Sequence, residues 1–257
     1  MPRLAANLSM LFTEAPLLDR FGLAAQAGFK GVEMQFPYGE PASAVAERLR
    51  AADVQMVMFN LPAGDFAKGE RGIACLPGRE DEFRDGVDQA LNYARALGVR
   101  QMNCLAGIAP PSGHRAVRET LVANLRYAAK KLADEGMVLL VEALNTREVP
   151  GFYISRTRQA LDVIADVGLT NVKLQYDLYH MQLMEGDLAG TLARHLPRIG
   201  HIQIANPPNR HEPGEGEVDF HFLLEHMDRL GYDGWVGCEY RPSKGTAASL
   251  GWAKTWL

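Results

Sequence analysis

The chain has 257 residues, of which 47% are hydrophobic and 23% charged, and its formal net charge is −4. This composition excludes an intrinsically disordered, collagen-like or low-complexity chain. Because the Lys and Arg residues are spread out in a chain of negative net charge, a nucleic-acid partner and an anionic membrane surface are both disfavoured. No apolar run in the sequence approaches the roughly 20 residues needed to cross a bilayer.

The N-terminus and the cysteines both indicate a cytoplasmic protein. The opening segment MPRLAANLSML has neither a long apolar stretch nor a cleavage site, so we expect no signal peptide. Cys75, Cys104 and Cys238 are odd in number and widely spaced, which suits a reducing compartment and gives no metal-binding spacing. We interpret Cys104 and Cys238 as core residues.

Short β-rich or apolar segments alternate with helical patterns along the chain. The predicted strands are 4–9, 31–37, 55–62, 101–107, 137–144, 172–180, 199–206 and 234–240. Apolar residues recur at helical spacing in 78–97 and 115–132. Apolar strands without clean alternation, each followed by a helix, indicate a parallel sheet that is covered on its faces.

Eight βα units in about 250 residues predict an α/β protein with a closed (β/α)₈ barrel, the TIM barrel architecture. A doubly wound open sheet is the alternative. The units are evenly spaced and no linker or change in composition separates them, so the barrel is favoured and residues 1–257 form a single domain.

Two connections are unusually long and rich in glycine. One covers 61–78, after the third predicted strand, and the other covers 206–219, after the seventh. A long loop inside a compact domain is often functional. Both loops leave the C-terminal ends of their strands, which is the face of a barrel where active sites form.

Each of the last four predicted strands carries one polar residue near its C-terminal end, namely Glu142, Asp177, Gln203 and Glu239. Any one of them could simply cap a loop or pair with an arginine. Four on consecutive strands are better explained by a common site, because lone buried acids are energetically costly. Three carboxylates placed together would repel one another, and a divalent cation removes that cost. The all-oxygen ligand set favours Mg²⁺ or Mn²⁺ over Zn²⁺.

The roles of two histidines near these residues are open to more than one interpretation. His180 lies three residues after Asp177, an offset that places the two on opposite faces of a strand. A turn beginning at Tyr179 would bring both to the site, whereas a loop histidine packed against Tyr179 is an equally good interpretation. His201 shares the strand face of Gln203, and we interpret it as structural.

Charged residues in the two long loops are candidates for substrate binding. Arg210 could hold an anionic substrate group in a bidentate manner, or it could be a solvated loop arginine. Lys68, Glu70 and Arg71 could close over a substrate as a lid, although a charged surface loop would have the same composition.

Several segments resemble the hydroxypyruvate isomerase family of the xylose-isomerase-like barrel superfamily. They read ANLSMLFTE, FNLPAGDFAKGERGIACLPGRE, YDLYHMQLMEG, HIQIANPPNRHEPGEGE and GWVGCEY. The resemblance covers essentially the whole chain, and the long-loop motif is very specific.

The resemblance implies a metal-assisted isomerase with paired catalytic glutamates at Glu142 and Glu239. Its metal-site pattern matches Glu142, Asp177, Gln203 and Glu239. The implied reaction interconverts hydroxypyruvate and 2-hydroxy-3-oxopropanoate (tartronate semialdehyde) through an enediol, within glyoxylate metabolism. Proton transfer is expected, and a metal-assisted hydride shift is the alternative.

Other members of the superfamily define the alternatives. The framework is shared with 2-oxo-tetronate isomerase, and related sugar epimerases usually carry His where Gln203 stands. The segment 143–152, ALNTREVPGF, also departs from the pattern expected of hydroxypyruvate isomerases.

More distant functions are disfavoured. A DNA-repair nuclease would need several His ligands and a basic groove, and the sequence shows neither. A non-catalytic sugar-acid binding barrel should have lost one of the two glutamates, yet both are present. A homo-oligomer is compatible with the sequence.

Overall fold

The computed structural model describes residues 2–257 as a closed barrel of eight parallel strands in sequential order. The strands are β1 (Arg3–Asn7), β2 (Gly31–Met34), β3 (Gln55–Asn60), β4 (Gln101–Cys104), β5 (Val138–Glu142), β6 (Val172–Asp177), β7 (Ile199–Ile204) and β8 (Trp235–Cys238). Closure is direct, because Arg3 of β1 pairs in register with Trp235 of β8. The predicted barrel is therefore confirmed over the open sheet.

Helices connect the strands and cover the outside of the barrel. They are α1 (Leu17–Gln26), α2 (Ala42–Ala52), α3 (Glu80–Leu97), α4 (His114–Ala133), α5 (Thr157–Val167), α6 (Leu178–Met184), α7 (Leu188–His195), α8 (Phe220–Arg229) and α9 (Thr246–Ser249). The predicted helical segments 78–97 and 115–132 correspond to α3 and α4. Gly98 ends α3 with a φ of 70°, the left-handed conformation that glycine adopts without strain.

The predicted strands are correct in number and position but extend too far at their C-terminal ends. The clearest case is β6, which ends at Asp177, whereas the prediction continued to residue 180. Asp177 accepts hydrogen bonds from the backbone N–H groups of Tyr179 at 2.7 Å and His180 at 3.3 Å. This N-cap starts helix α6 immediately after the strand.

Two separate groups of apolar residues are buried in the barrel. Ala5, Val57, Met58 and Leu140 form a small apolar cluster that is separate from the main core between strands and helices. Cys104 and Cys238 both belong to the main core and are buried, as predicted.

The two long connections lie where the sequence placed them. The first runs from the end of β3 to the start of α3 and contains a 3₁₀ turn at Phe66–Lys68, capped by the Asp65 side chain. The second runs from β7 to α8, and within it Arg210 has a φ of 59°. Within residues 2–257 the structure contains no helix with the length and apolar character of a membrane span.

Candidate active site

Each strand, or the residue directly after it in β2 and β8, contributes a polar side chain to a ring at the C-terminal end of the barrel. These residues are buried, with Gln35 half-buried, and they are Asn7, Gln35, Asn60, Asn103, Glu142, Gln175, Asp177, Gln203 and Glu239. Hydrogen bonds between different strands join them, for example from Asn103 Nδ2 to Glu142 Oε2 at 2.8 Å. The ring is the floor of the candidate site.

Two carboxylates of the ring and a nearby histidine could share a metal ion. One ligand atom from each of Glu142, Asp177 and His180 lies within 4.8 Å of the others, and all three residues are buried. Glu239 is not part of this group in residues 2–257. The carboxylates predicted from β5 and β6 are thus brought together, and the turn at Tyr179 does bring His180 to the site.

The hydrogen bonds of His180 define its chemistry. The backbone N–H of Asn145 donates to Nδ1 at 3.2 Å, which leaves Nε2 as the atom that carries hydrogen in the neutral ring. Nε2 lies 3.5 Å from Asp177 Oδ2. Burial lowers the pKa of His180 well below its usual value, and the nearby Arg210 charge lowers it further. His180 is therefore a neutral hydrogen-bond donor that faces the carboxylates.

The clustered carboxylates have raised pKa values. Burial raises the pKa of Glu142 well above its usual value, and the charges of Glu239 and Asp177 raise it further. Burial raises the pKa of Glu239 to about 7, against the opposing effect of the Arg210 charge. The pKa of Asp177 is also raised, mainly by burial. Carboxyl groups that are buried together in this way suit either a bound cation or acid–base chemistry.

Arg210 is a buried cation at the centre of this cluster, with only 8% of its surface exposed. Its guanidinium forms an ion pair with Glu239 and lies 3.2 Å from Glu148 Oε2 and 3.7 Å from Asp177 Oδ2. It also lies 5.0 Å from the ring centre of Tyr179. Arg210 is therefore not a solvated loop residue, and it is placed to meet an anion in the site.

Gln203 is held within the ring by two hydrogen bonds. Its Nε2 donates to Glu33 Oε1 at 2.7 Å, and its Oε1 accepts from Gln175 Nε2 at 2.6 Å. An amide oxygen has a second lone pair, so Oε1 keeps the capacity to bind a cation. Glu239, directly after β8, accepts hydrogen bonds from Asn7 Nδ2 and from Gln35 Nε2, both at 3.2 Å.

Only one of the three predicted lid residues reaches the cavity. Arg71 lines it, with its guanidinium 3.9 Å from the ring centre of Phe66. Lys68 is 83% exposed and pairs with Asp65 at 2.8 Å. The carboxylate of Glu70 pairs with Arg79. Lys68 and Glu70 do not line the cavity, because their charged groups pair with neighbours in the sequence, and their contact with a substrate stays a prediction.

These groups surround a small cavity of about 90 Å³. The charged and polar residues on its wall include Glu142, Glu239, His180, Arg210, Gln175 and Arg71. An anionic ligand with oxygen functions would meet two arginines, three carboxyl groups, and amide and imidazole hydrogen-bond partners.

Sequence reasoning missed two acidic residues of the site. Glu33 is fully buried beneath the ring, with Oε2 2.6 Å from His201 Nε2. The structural interpretation of His201 fits this contact. Glu33 interrupts the apolar segment GVEMQFP, but it is the third of its seven residues and not near the C-terminal end, where the other acids were sought. Glu148, which lines the cavity, lies in a loop and gave no such signal.

Comparison with known proteins places the chain in a family of barrel proteins. The family described as "Xylose isomerase-like TIM barrel" matches residues 21–256. The hydroxypyruvate isomerase of Escherichia coli strain K12 is 51% identical over 98% of both chains. The 2-oxo-tetronate isomerase of Cupriavidus necator is 48% identical over 100% of this chain and 99% of its own.

Solved structures show the same architecture. The crystal structure of an AP endonuclease of family 2 from Brucella melitensis superposes with a TM-score of 0.98 at 47% identity, covering 100% of this chain and 99% of that one. A 3-keto-D-glucoside 4-epimerase from E. coli superposes with a TM-score of 0.78 at 22% identity, covering 99% of each chain. The second likeness concerns the fold alone.

Proposed function

The chain belongs to the xylose isomerase-like TIM barrel family, and on this basis we propose that it is an isomerase of small sugar acids. The proposed reaction interconverts hydroxypyruvate and 2-hydroxy-3-oxopropanoate. The observation that carries the proposal is the placement of two buried glutamates, Glu142 and Glu239, on the wall of one cavity together with Arg210.

The two glutamates are proposed to move the proton. In an aldose–ketose shift, one group removes a proton from the hydroxyl-bearing carbon and the other returns a proton to the former carbonyl carbon. A pKa near the working pH suits this task, and the pKa of Glu239 is about 7. Neutral His180 can donate a hydrogen bond to oxygen as negative charge develops there.

The substrate carboxylate is proposed to bind Arg210. Two parallel hydrogen bonds from a guanidinium match a carboxylate well, and Arg210 already lies 3.2 Å from a carboxylate oxygen of Glu148. Arg71 lines the same cavity from the loop above and can close it against water.

A divalent metal, Mg²⁺ or Mn²⁺, is part of the proposal. The fit rests on the donor set, because buried carboxylates with raised pKa values share the site with an amide oxygen. Glu142, Asp177, Gln203 and Glu239 would hold the ion. When bound, it supplies Lewis-acid stabilisation to the carbonyl and hydroxyl oxygens of the substrate.

A second candidate substrate is a 2-oxo-tetronate, which is one carbon longer. The relative from Cupriavidus necator named for this activity is nearly as similar as the hydroxypyruvate isomerase. A panel of hydroxypyruvate, 2-oxo-tetronates and aldose sugars, followed by NMR with Mg²⁺ or Mn²⁺, tests the proposal. Turnover of hydroxypyruvate alone supports the first reading, and turnover of none of the acids contradicts both.

Nuclease activity is not favoured, despite the description of the Brucella melitensis structure. Within residues 2–257 the candidate metal cluster holds a single histidine, His180, with two carboxylates. The net charge of −4 does not suit a phosphate backbone. The three cysteines are free and buried, which supports the cytoplasmic location that we also propose.

A further inference from the structure

A directed chain of hydrogen bonds crosses the barrel from Glu33 to the cavity. Glu33 Oε1 accepts from Gln203 Nε2 at 2.7 Å and from Asn7 Nδ2 at 2.9 Å. The other carboxyl oxygen, Oε2, faces His201 Nε2 at 2.6 Å. Wherever the hydrogen of that last contact lies, Oε1 is an acceptor for both amides.

The acceptor Glu33 Oε1 determines the orientation of the side-chain amides of Gln203 and Gln175. Because Gln203 turns its NH₂ group to Glu33, its oxygen faces away and accepts from Gln175 Nε2 at 2.6 Å. Gln175 in turn directs its NH₂ group at Gln203. Its Oε1 atom is therefore the last acceptor in this series of hydrogen bonds. The positions of the oxygen and nitrogen atoms in a Gln side chain are normally ambiguous. Here Glu33 Oε1 can only accept a hydrogen bond, so the nitrogen of Gln203 must face it.

The Oε1 atom of Gln175, at the end of this series, is a buried acceptor without a donor. Gln175 is 2% exposed and lines the active-site cavity, and its Oε1 has no hydrogen-bond partner in residues 2–257. It pairs in register with Glu142 on the neighbouring strand. The Oδ1 atom of Asn103 is also unpartnered, but Asn103 is not part of the cavity wall. A buried acceptor without a donor destabilises the site, so a ligand that supplies the donor is favoured.

We infer that Gln175 Oε1 accepts a hydrogen bond from a hydroxyl group of the substrate, and that Glu33, acting through Gln203, is the positioning residue for this acceptor. The inference rests on the proposed function, because the substrate of such an isomerase carries a hydroxyl next to the reacting carbonyl. In hydroxypyruvate this is the hydroxyl at C3. A site built around a buried acceptor rejects analogues that lack the donor.

The test compares two unreactive acids that differ only in the C3 hydroxyl, D-glycerate and D-lactate. Their dissociation constants are measured by titration calorimetry, in Mg²⁺ and again in chelator, on the wild type and on Gln175→Met. Methionine keeps the length of the side chain but removes the acceptor. We expect the wild type to prefer glycerate by about three- to tenfold, and Gln175→Met to bind the two acids within about twofold of each other.

The matched control is Asn124→Leu, which removes a buried amide that donates to the Ala74 carbonyl outside the barrel. It should keep the wild-type preference. Equal binding of both acids by the wild type, binding of neither, or an unchanged preference in Gln175→Met overturns the inference. The first of these results would indicate that water occupies the acceptor.

Glu33→Gln tests the positioning role separately. Glutamine offers both a donor and an acceptor, so the amides of Gln203 and Gln175 are no longer fixed in one orientation. The preference for glycerate over lactate should therefore fall. An unchanged preference would remove Glu33 from the inference. Turnover of hydroxypyruvate by the wild type is measured in parallel, so that failure of the proposed function is distinguished from failure of the Gln175 assignment.

Discussion

Asp177 and His180 are joined by a strand-to-helix transition, in which the Asp177 carboxylate accepts the backbone N–H of His180 at 3.3 Å. The same carboxylate faces the imidazole, with 3.5 Å between Oδ2 and Nε2. One residue therefore ends the strand, begins the helix and contributes to the site. This geometry brings His180 onto the same side as Asp177, although the two would face apart on a continuous strand.

The first prediction concerns the paired glutamates. Glu142→Gln and Glu239→Gln should each lower kcat by at least about 10², the contribution expected of one acid–base group. The double variant should be little worse than either single one, because residues that act as a unit are not additive. Turnover in D₂O should place deuterium on the carbon that receives the proton.

Two results would contradict this mechanism. Near-normal kcat in either single variant would exclude that glutamate from the proton transfer. Complete retention of substrate hydrogen, after partial-exchange measurements exclude a shielded proton, would favour a hydride shift and leave the glutamates as metal ligands.

The second prediction concerns the metal. Asp177→Asn should weaken Mg²⁺ or Mn²⁺ binding and activity together, because an amide is a poorer ligand for a hard cation than a carboxylate. The fold should persist, since asparagine also caps helices. Metal titration calorimetry and circular dichroism measure the two effects. Asp166→Asn, which alters an exposed pair with Arg118, is the matched control, and full activity of metal-free wild type would refute the requirement.

The third prediction concerns the loop over the cavity. Arg71→Ala should raise KM, lower kcat or both, with little change in stability, because Arg71 lines the cavity from a surface loop. Arg115→Ala, at a side chain that is 92% exposed, should have no such effect. Hydrogen exchange in 64–75 should slow when a tight analogue binds, and equal exchange with and without it would argue against loop closure.

The fourth prediction concerns the close packing of Gly237 against the Glu33 side chain inside the barrel. A Cβ atom at Gly237 would lie 2.3 Å from a carboxylate oxygen of Glu33, and this side chain is held by three partners. Gly237→Ala should therefore lower the free energy of unfolding by roughly 1–3 kcal/mol, as overpacking does. Gly22→Ala, in helix α1 with nothing within 4 Å, should instead be neutral or stabilising. Urea unfolding measures both, and an unaffected Gly237→Ala would mean that Glu33 moves freely.

The fifth prediction concerns the pH dependence of stability. Burial alone would raise the pKa of Glu212, but hydrogen bonds from the Ser243 hydroxyl and backbone N–H lower it overall. Because the folded pKa lies below the unfolded one, this carboxylate stabilises the protein above the unfolded pKa of about 4.3, and the contribution is lost as the pH falls. The difference in unfolding free energy between wild type and Glu212→Gln should be larger at pH 7 than at pH 3. A constant difference would exclude the linkage.

Local sequence patterns were sufficient for the barrel and for much of the site. Apolar strands alternate with segments in which apolar residues recur every 3.6 residues, and this alternation defines the βα units. A lone acid near the end of an apolar strand, such as Glu142 or Glu239, marks the face of the barrel that carries the candidate site. Both signals depend only on residues close together in the chain. Glu33 lies outside this pattern, because it is the third residue of the predicted segment 31–37, and only the structure places it against Gln203.

Only the tertiary structure decided which side chains meet. Arg210 could have been solvated, and it is buried against Glu239; Lys68 and Glu70 could have lined the cavity, and they pair with Asp65 and Arg79 instead. Gln203 and Glu33 are 170 positions apart in the chain, yet their hydrogen bond orients Gln175 in the cavity. Closure of the barrel creates such contacts between distant strands, and local periodicity carries no information about partners that the closed sheet brings together.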